Sequence, residues 1–458
     1  MKYNARTIPP GKNRWLLCVI LTCLSMTGTA PSTACVQQAP GTLRGTVTEA
    51  DVQTDMVLEW NANAATAIVG VAGQRPERGL IRLAMVQVAI YDAVNAIDGY
   101  PFQSYAVTPN VVSPASPEAA TAAAAYEVLV ALFPTQQADL YAKYTASLAT
   151  ILDGPSKTNG ISVGQQTALG ILALRANDGR DAVVLFTPGS GPGVWMPTPP
   201  AFLPAAAPET PHVQPFTINS PSQFRAEPPP DLASETWTRD YNEVKSLGSA
   251  TSTTRTAEQT DIGRFWSDQP ILQWNRAWRN ISVIRGLSLS DNARFFAMLA
   301  TASADAIIAC WDSKYFYNFW RPVTAIRGGD TDANPGTEPE ASWIGLVVTP
   351  NHPEYPAAHG CFSGASTNTL RSFFGTDSFD FTIDSNVAGL TNPVRSYSSF
   401  SQALAEVRDA RVYGGMHYRN STNKGSKIGK QVSNFATRHF FQPSRGRRDQ
   451  EFSRLHVR

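Results

Sequence analysis

Three short clusters between Cys310 and Tyr418 hold the residues best able to do chemistry. The first runs Lys314-Tyr-Phe-Tyr-Asn-Phe-Trp-Arg321-Pro322. The second is His352-Pro-Glu-Tyr-Pro356-Ala357-Ala358-His359-Gly360, and the third Arg411-Val-Tyr-Gly414-Gly415-Met-His417-Tyr418. Lys314, Arg321 and Arg411 are cations, and His352, His359 and His417 are three of the chain's six histidines. An arginine fork matches the oxygens of a tetrahedral oxyanion, and a lysine adds a point charge. Lys314 and Arg321 stand seven residues apart, so a helix continuing through both would carry them on one face, about 10 Å apart along its axis. Ala358 and His359 fall in the first turn of a helix predicted to start near Pro356, where unpaired amides and the helix dipole favour an anion. Arg411 and His417 would diverge on an unbroken helix, and Gly414-Gly415 supplies a break that lets both face one site. His417 can then bond the central atom through a ring nitrogen while His359 moves protons opposite. Together the clusters read as a site for phosphate or its analogue vanadate.

The remaining chain must supply the elements that position these groups. It has 458 residues, 43% hydrophobic and 16% charged, which describes a globular protein with a real core. A formal net charge of +1 gives no global field that would draw nucleic acid, so the basic clusters are a local concentration. Apolar residues recur at helical spacing over 51–67, 80–94, 117–133, 136–152 and 163–177. They do so again over 234–247, 256–266, 273–285, 290–320, 356–374, 400–412 and 424–441. Strand patterns are sparse, with one short hairpin arm over 379–383. Thirteen of the 33 prolines fall within 188–230, a stretch that cannot be a helix and reads as an ordered wrap or a linker. The expected organisation is all-α: an N-terminal helical scaffold over 45–187, the Pro-rich segment over 188–231, a C-terminal helical bundle carrying the site over 232–442, and a basic tail over 443–458.

Residues 1–34 read as an export signal. Lys2, Arg6, Lys12 and Arg14 precede the apolar run 15–24, and small residues follow through Ala30 and Ala34, either of which suits cleavage. That run is much shorter than the roughly 20 residues a membrane span requires, and no other segment is expected to cross a bilayer. A secreted or periplasmic protein is the expectation. Cys18 and Cys23 would leave with the signal. Cys310 and Cys361 border the proposed site, as two buried thiols or as a disulfide that export would permit.

Lys-x6-Arg-Pro, Pro-x-x-His and Arg-x5-His, in that order, resemble the motifs shared by vanadium-dependent haloperoxidases and the type 2 phosphatidic acid phosphatase superfamily. Ala84-Met-Val-Gln-Val-Ala-Ile-Tyr-Asp-Ala-Val-Asn-Ala96, Gly193-Val-Trp-Met-Pro-Thr-Pro-Pro200 and Cys310-Trp-Asp-Ser-Lys-Tyr resemble the bacterial haloperoxidase-like branch, so the likeness extends over about 50–440. The resemblance implies an all-α fold of helical bundles and a vanadate cofactor. It implies His417 as the metal ligand, Lys314, Arg321, Arg411 and the Ala358 amide on the vanadate oxygens, and His359 as the acid–base group. Hydrogen peroxide, a halide and small organic acceptors would be the partners, with a homo-oligomer left open.

Two residues depart from the family pattern. Ala357 stands where a serine is usual, and Ser421 stands where many phosphatases carry an acid to orient the third-cluster histidine. His352, seven residues before His359, matches the bromide-oxidising branch and points to bromide or iodide; its alternative is a loop histidine bonded to Glu354 or to backbone. Three functions compete: an exported haloperoxidase, a soluble acid phosphatase acting through a phosphohistidine at His417, and a phosphate-binding relative without turnover.

Overall fold

The twelve predicted helical periods, with one short unpredicted helix over Pro322–Arg327, make thirteen α-helices among the described residues, 55–444, of a computed structural model. The described residues form one compact unit. Helix α1 spans Met56–Ala65 and runs into a π-helical turn, Thr66–Val71; α2 spans Pro76–Ile97, α3 Pro117–Leu132, α4 Gln137–Ala149 and α5 Pro155–Leu174. After the Pro-rich segment come α6 Glu235–Gly248, α7 Ala257–Phe265, α8 Pro270–Arg285, α9 Leu289–Tyr317 and α10 Pro322–Arg327. The chain closes with α11 Ala358–Phe374, an antiparallel hairpin of β1 Ser378–Asp384 and β2 Val394–Ser399, then α12 Phe400–Tyr413 and α13 Arg419–His439. The starts follow ordinary capping chemistry. Prolines occupy the first turns of α2, α3, α5, α8 and α10, and Thr256 and Gln259 form a capping box on α7.

Helices α2 and α9 are long and apolar enough to cross a membrane by length and composition, contrary to the expectation that no such segment follows residue 34. Both lie buried inside the protein, and each is apolar because neighbours cover it on most sides. They pack on one another, with α3 and α5 on one flank and α11 and α13 on the other.

The Pro-rich segment contains no α-helix, only a 3₁₀ turn at Thr210–His212, and it is tied to α9. The buried Asp305 carboxylate of α9 accepts the amides of Phe216, Thr217 and Ile218 at 2.7, 2.6 and 3.1 Å. Arg225 pairs with Asp312 at 2.7 Å. Its upstream end meets the end of α9: Trp195 N donates to Asn318 O at 2.8 Å, and Trp320 N to Gly193 O at 3.1 Å.

That contact accounts for a correction. The predicted helix over 290–320 stops at Tyr317, where Asn318 turns left-handed (φ 47°). Lys314 therefore lies in the last turn of α9, whereas Arg321 stands outside it, at the start of α10. The two do not share a helical face. Pairing of 318–320 with 193–195 satisfies backbone groups that a longer helix would have claimed, and it re-aims the chain.

The tightest packing lies between α11 and α13. A Cβ on Gly425 would sit 2.4 Å from Ala357 O, and one on Gly429 2.2 Å from Cys361 O and 2.5 Å from Ala365 N. Bare glycine faces let the two backbones approach, which brings the first turn of α11 beside the first turn of α13. Gly429→Ala should therefore separate the helices and lower stability by about 1–3 kcal/mol, read as the shift in urea midpoint; an unchanged midpoint would show that the contact is slack.

Candidate active site

Each cluster is placed by a different local device. Lys314 is fully buried near the end of α9 and donates from Nζ to the carbonyls of Pro353 and Glu354 at 3.0 and 2.8 Å. Arg321, also fully buried, donates from Nε to His352 O at 2.9 Å and from Nη1 to Met416 O at 3.0 Å. Its Nη1 also lies 3.2 Å from His417 Nε2, and its Nη2 3.0 Å from His352 Nδ1. Arg411, in the last turn of α12, donates from Nη1 to Trp266 O at 3.1 Å, while its buried Nε has no partner among the described residues.

The glycine break works as the spacing predicts. Helix α12 ends at Tyr413, Gly415 takes φ 77°, and the amides of Met416 and His417 turn back onto Arg411 O at 3.2 and 3.3 Å. Glycine is required there twice over, because a Cβ would also meet Gly248 O at 2.5 Å. The result sets Arg411 and His417 on the wall of one cavity.

His417 has a carboxylate partner that the motif reading missed. Glu354 Oε1 accepts from His417 Nδ1 at 2.8 Å and from Tyr418 N at 3.2 Å, with both side chains buried. A guanidinium only donates, so the contact with Arg321 leaves a lone pair on Nε2, and Nδ1 carries the hydrogen. Ser421, the position where an acid was sought, sits beside the same carboxylate. It lowers the Glu354 pKa without the alignment of a hydrogen bond. Glu354 went unassigned because its motif neighbours are prolines and a tyrosine. The available signal was that it is the second cluster's sole acid.

Burial sets the charge states. Loss of solvent pulls Lys314 down to about 8, Arg321 to about 10 and Arg411 to about 9, which leaves both arginines cationic at neutral pH. Desolvation, then the neighbouring cations, hold His352, His359 and His417 well below the usual histidine range, so their rings are neutral. Desolvation raises Glu354 to about 7 against the pull of Lys314 and Arg321. No ion pair among the described residues includes Lys314, Arg321 or Arg411, and the cluster's carboxylate is engaged with His417.

A cavity of about 360 Å³ opens onto these groups. Ala358, His359, His352, Arg411 and His417 line it; Lys314, Arg321 and Ala357 do not, and the first two lie behind the lined wall. Ala357 is the N-cap of α11 without a side-chain cap, so the first-turn amides of this 17-residue helix carry no side-chain cap among the described residues. His359 Nε2 is buried without a partner among the described residues. His352 lies in a buried loop, its ring centroid 4.9 Å from that of Trp311 and its Nδ1 3.1 Å from Pro353 O; it has no bond to Glu354. Cys310 and Cys361 are buried free thiols, and Cys310 Sγ donates to Pro356 O at 3.6 Å.

Three buried cations without carboxylate partners, uncapped helix amides and a histidine lone pair fit a tetrahedral oxyanion whose central atom accepts a nitrogen ligand. Vanadate meets both terms: His417 would ligate it, with Arg411, Arg321, Lys314 and the Ala358 amide around its oxygens.

The chain is similar to several known proteins. Residues 294–446 match the family described as the VCPO second helical-bundle domain. Vanadium chloroperoxidase of Curvularia inaequalis is 27% identical over 180 residues, which span 33% of this chain and 30% of that enzyme's length. The structure titled as the first bacterial vanadium-dependent iodoperoxidase covers 85% of this chain and 97% of its own, with a TM-score of 0.73 and 26% identity. A holo-type bacterial vanadium-dependent chloroperoxidase covers 82% and 95%, with a TM-score of 0.65; at 17% identity it bears on the fold alone.

Lys314 makes anion-free stability depend on pH. Its folded pKa of about 8 lies below the ordinary 10.5, so between these values the unfolded chain binds more protons and stability rises with pH. Urea midpoints measured from pH 8 to 10 should climb by roughly 2–3 kcal/mol more in the wild type than in Lys314→Met, and saturating orthovanadate should flatten the wild-type rise. Equal slopes in the two proteins would assign the charge elsewhere.

Proposed function

The chain belongs to the vanadium-dependent haloperoxidases, enzymes that use vanadate, and from that premise we propose that it oxidises bromide or iodide with hydrogen peroxide to the hypohalous acid. The observation that carries this reading is the set of buried, carboxylate-free cations around the His417 lone pair. Vanadate, when bound, supplies Lewis acidity that polarises peroxide for attack by halide. The residues do the rest. Arg321, Lys314 and Arg411 neutralise the anion, Glu354 fixes the tautomer of His417, and neutral His359 takes the proton of incoming peroxide at its free Nε2. In the overall reaction the peroxide O–O bond breaks, one oxygen joins the halide, and the other leaves as water after taking up a proton. His352 in the cavity wall and the likeness to an iodoperoxidase support the larger halides. Export through the signal within residues 1–34, which lies outside the described residues, belongs to the same proposal and rests on the sequence.

The Glu354–His417 pair also favours a second reading, phosphoryl transfer. Ser421 spoke against a phosphohistidine because it is neutral, but Glu354 supplies the missing carboxylate from another loop. Nε2 could then attack phosphorus, with His359 protonating the leaving group.

The decisive assay is peroxide-dependent bromination of a phenolic dye with and without orthovanadate, beside phosphate-ester hydrolysis. Bromination that requires vanadate is expected, and hydrolysis alone would move the assignment to phosphatase. His417→Ala should abolish vanadate binding by calorimetry. His359→Ala should keep it and lower turnover by about 10²–10⁴-fold; equal loss of binding in both would overturn this division of roles.

A further inference from the structure

The cavity is far larger than a halide and a peroxide need. At about 360 Å³ it falls in the range of sites that enclose a small organic molecule. His359, Arg411 and His417 of the oxyanion site form part of its wall. Pro76, Pro200, Leu203, Val348 and Phe362 make much of the remaining wall, so that part favours an apolar ring over ions.

One acid also lines the cavity. Glu77, in the first turn of α2, is 4% exposed, and its Oε1 is buried without a hydrogen-bond partner among the described residues. The nearby cations are otherwise engaged: Arg78 pairs with Glu209 at 2.6 Å, and Arg75 donates to Asn351 at 2.7 Å. Such an acceptor costs stability unless something donates to it. The halide reaction has no use for it, since a carboxylate repels a halide.

We infer that the cavity holds an aromatic acceptor bearing a hydroxyl donor, a phenol, with the ring against the apolar wall and the hydroxyl given to Glu77. The inference rests on the haloperoxidase reading and deepens it: the hypohalous acid formed at the histidine end meets a bound ring before it escapes. The carbon–halogen bond forms as the halogen–oxygen bond breaks, and the displaced ring proton leaves with the hydroxide as water. Glu77 is a positioning residue, because it holds the ring and takes no part in forming the oxidant.

Calorimetry without peroxide tests binding apart from turnover, using wild type, Glu77→Gln and Glu77→Leu titrated with phenol and with toluene. Wild type should bind phenol at least ten-fold more tightly than toluene, and Glu77→Leu should erase that preference. Under turnover, the wild-type ortho-to-para ratio of bromophenol should differ from that of reagent hypobromous acid, and Glu77→Leu should move it to the reagent value. Absence of phenol binding by the wild type, or a wild-type product ratio equal to the reagent's, overturns the inference. If Glu77→Leu does not fold, Glu77→Met, which also lacks an oxygen acceptor, takes its place, and a phenol preference undiminished there together with an unmoved product ratio does the same. Peroxide-dependent triiodide formation, which needs no organic molecule, separates the two levels: its absence in vanadate-loaded wild type removes the haloperoxidase reading and the inference with it, whereas triiodide formation without phenol binding removes the inference alone.

Discussion

Three cations taken out of water and left without carboxylate partners are the constraint around which this protein is built. Moving an unpaired charge into a low-dielectric interior costs several kcal/mol even after relaxation. Here Lys314, Arg321 and Arg411 are all buried, while Glu354, the acid that bears on Lys314 and Arg321, is committed to His417. Backbone carbonyls and a thioether meet part of their hydrogen-bonding demand. They do not cancel the charge. An oxyanion does, and so the empty site and the bound site differ in stability as well as in chemistry.

The same cations also hold the scaffold that aims the histidines. Lys314 and Arg321 grip the carbonyls of residues 352–354, and Glu354 N donates to Phe319 O at 2.8 Å. The 352–354 loop is thereby clamped between the end of α9 and the turn before α10. From that clamp Glu354 reaches His417, and the chain enters α11 with His359 in its first turn. Charge, backbone and histidine orientation are therefore one interlocked unit. A change at any of them should be felt at the others.

The Pro-rich segment shows how irregular chain serves a helical core. Its 193–195 stretch stops α9 at the right residue, its 216–218 amides satisfy Asp305, and its residues 198–201 with Leu203 wall the cavity. A helix could not do all three, because its backbone groups would already be spent within itself.

Much was legible in the residues themselves. Helical periods, the Gly414-Gly415 break, Gly375 at the end of α11 (φ 70°) and the grouping of Arg411 with His417 all follow from local chemistry, which spacing records directly. Motif order was enough to group the three cations with the three histidines. The end of α9 was not legible, since Tyr317 to Trp320 remain helically periodic; what stops the helix is hydrogen bonding to the Pro-rich segment more than a hundred residues earlier. Nor was Glu354 as the partner of His417, because sixty-three residues separate the two and only folding brings them to 2.8 Å. The apolar run of α9 posed the same problem in another form: composition alone cannot tell a helix surrounded by protein from one surrounded by lipid, because both environments exclude water. Sequence determined which groups could bind an oxyanion. Tertiary structure decided which of them face the cavity, which stand behind it and which acid sets the tautomer of the histidine, since those depend on contacts between segments that carry no mark of one another.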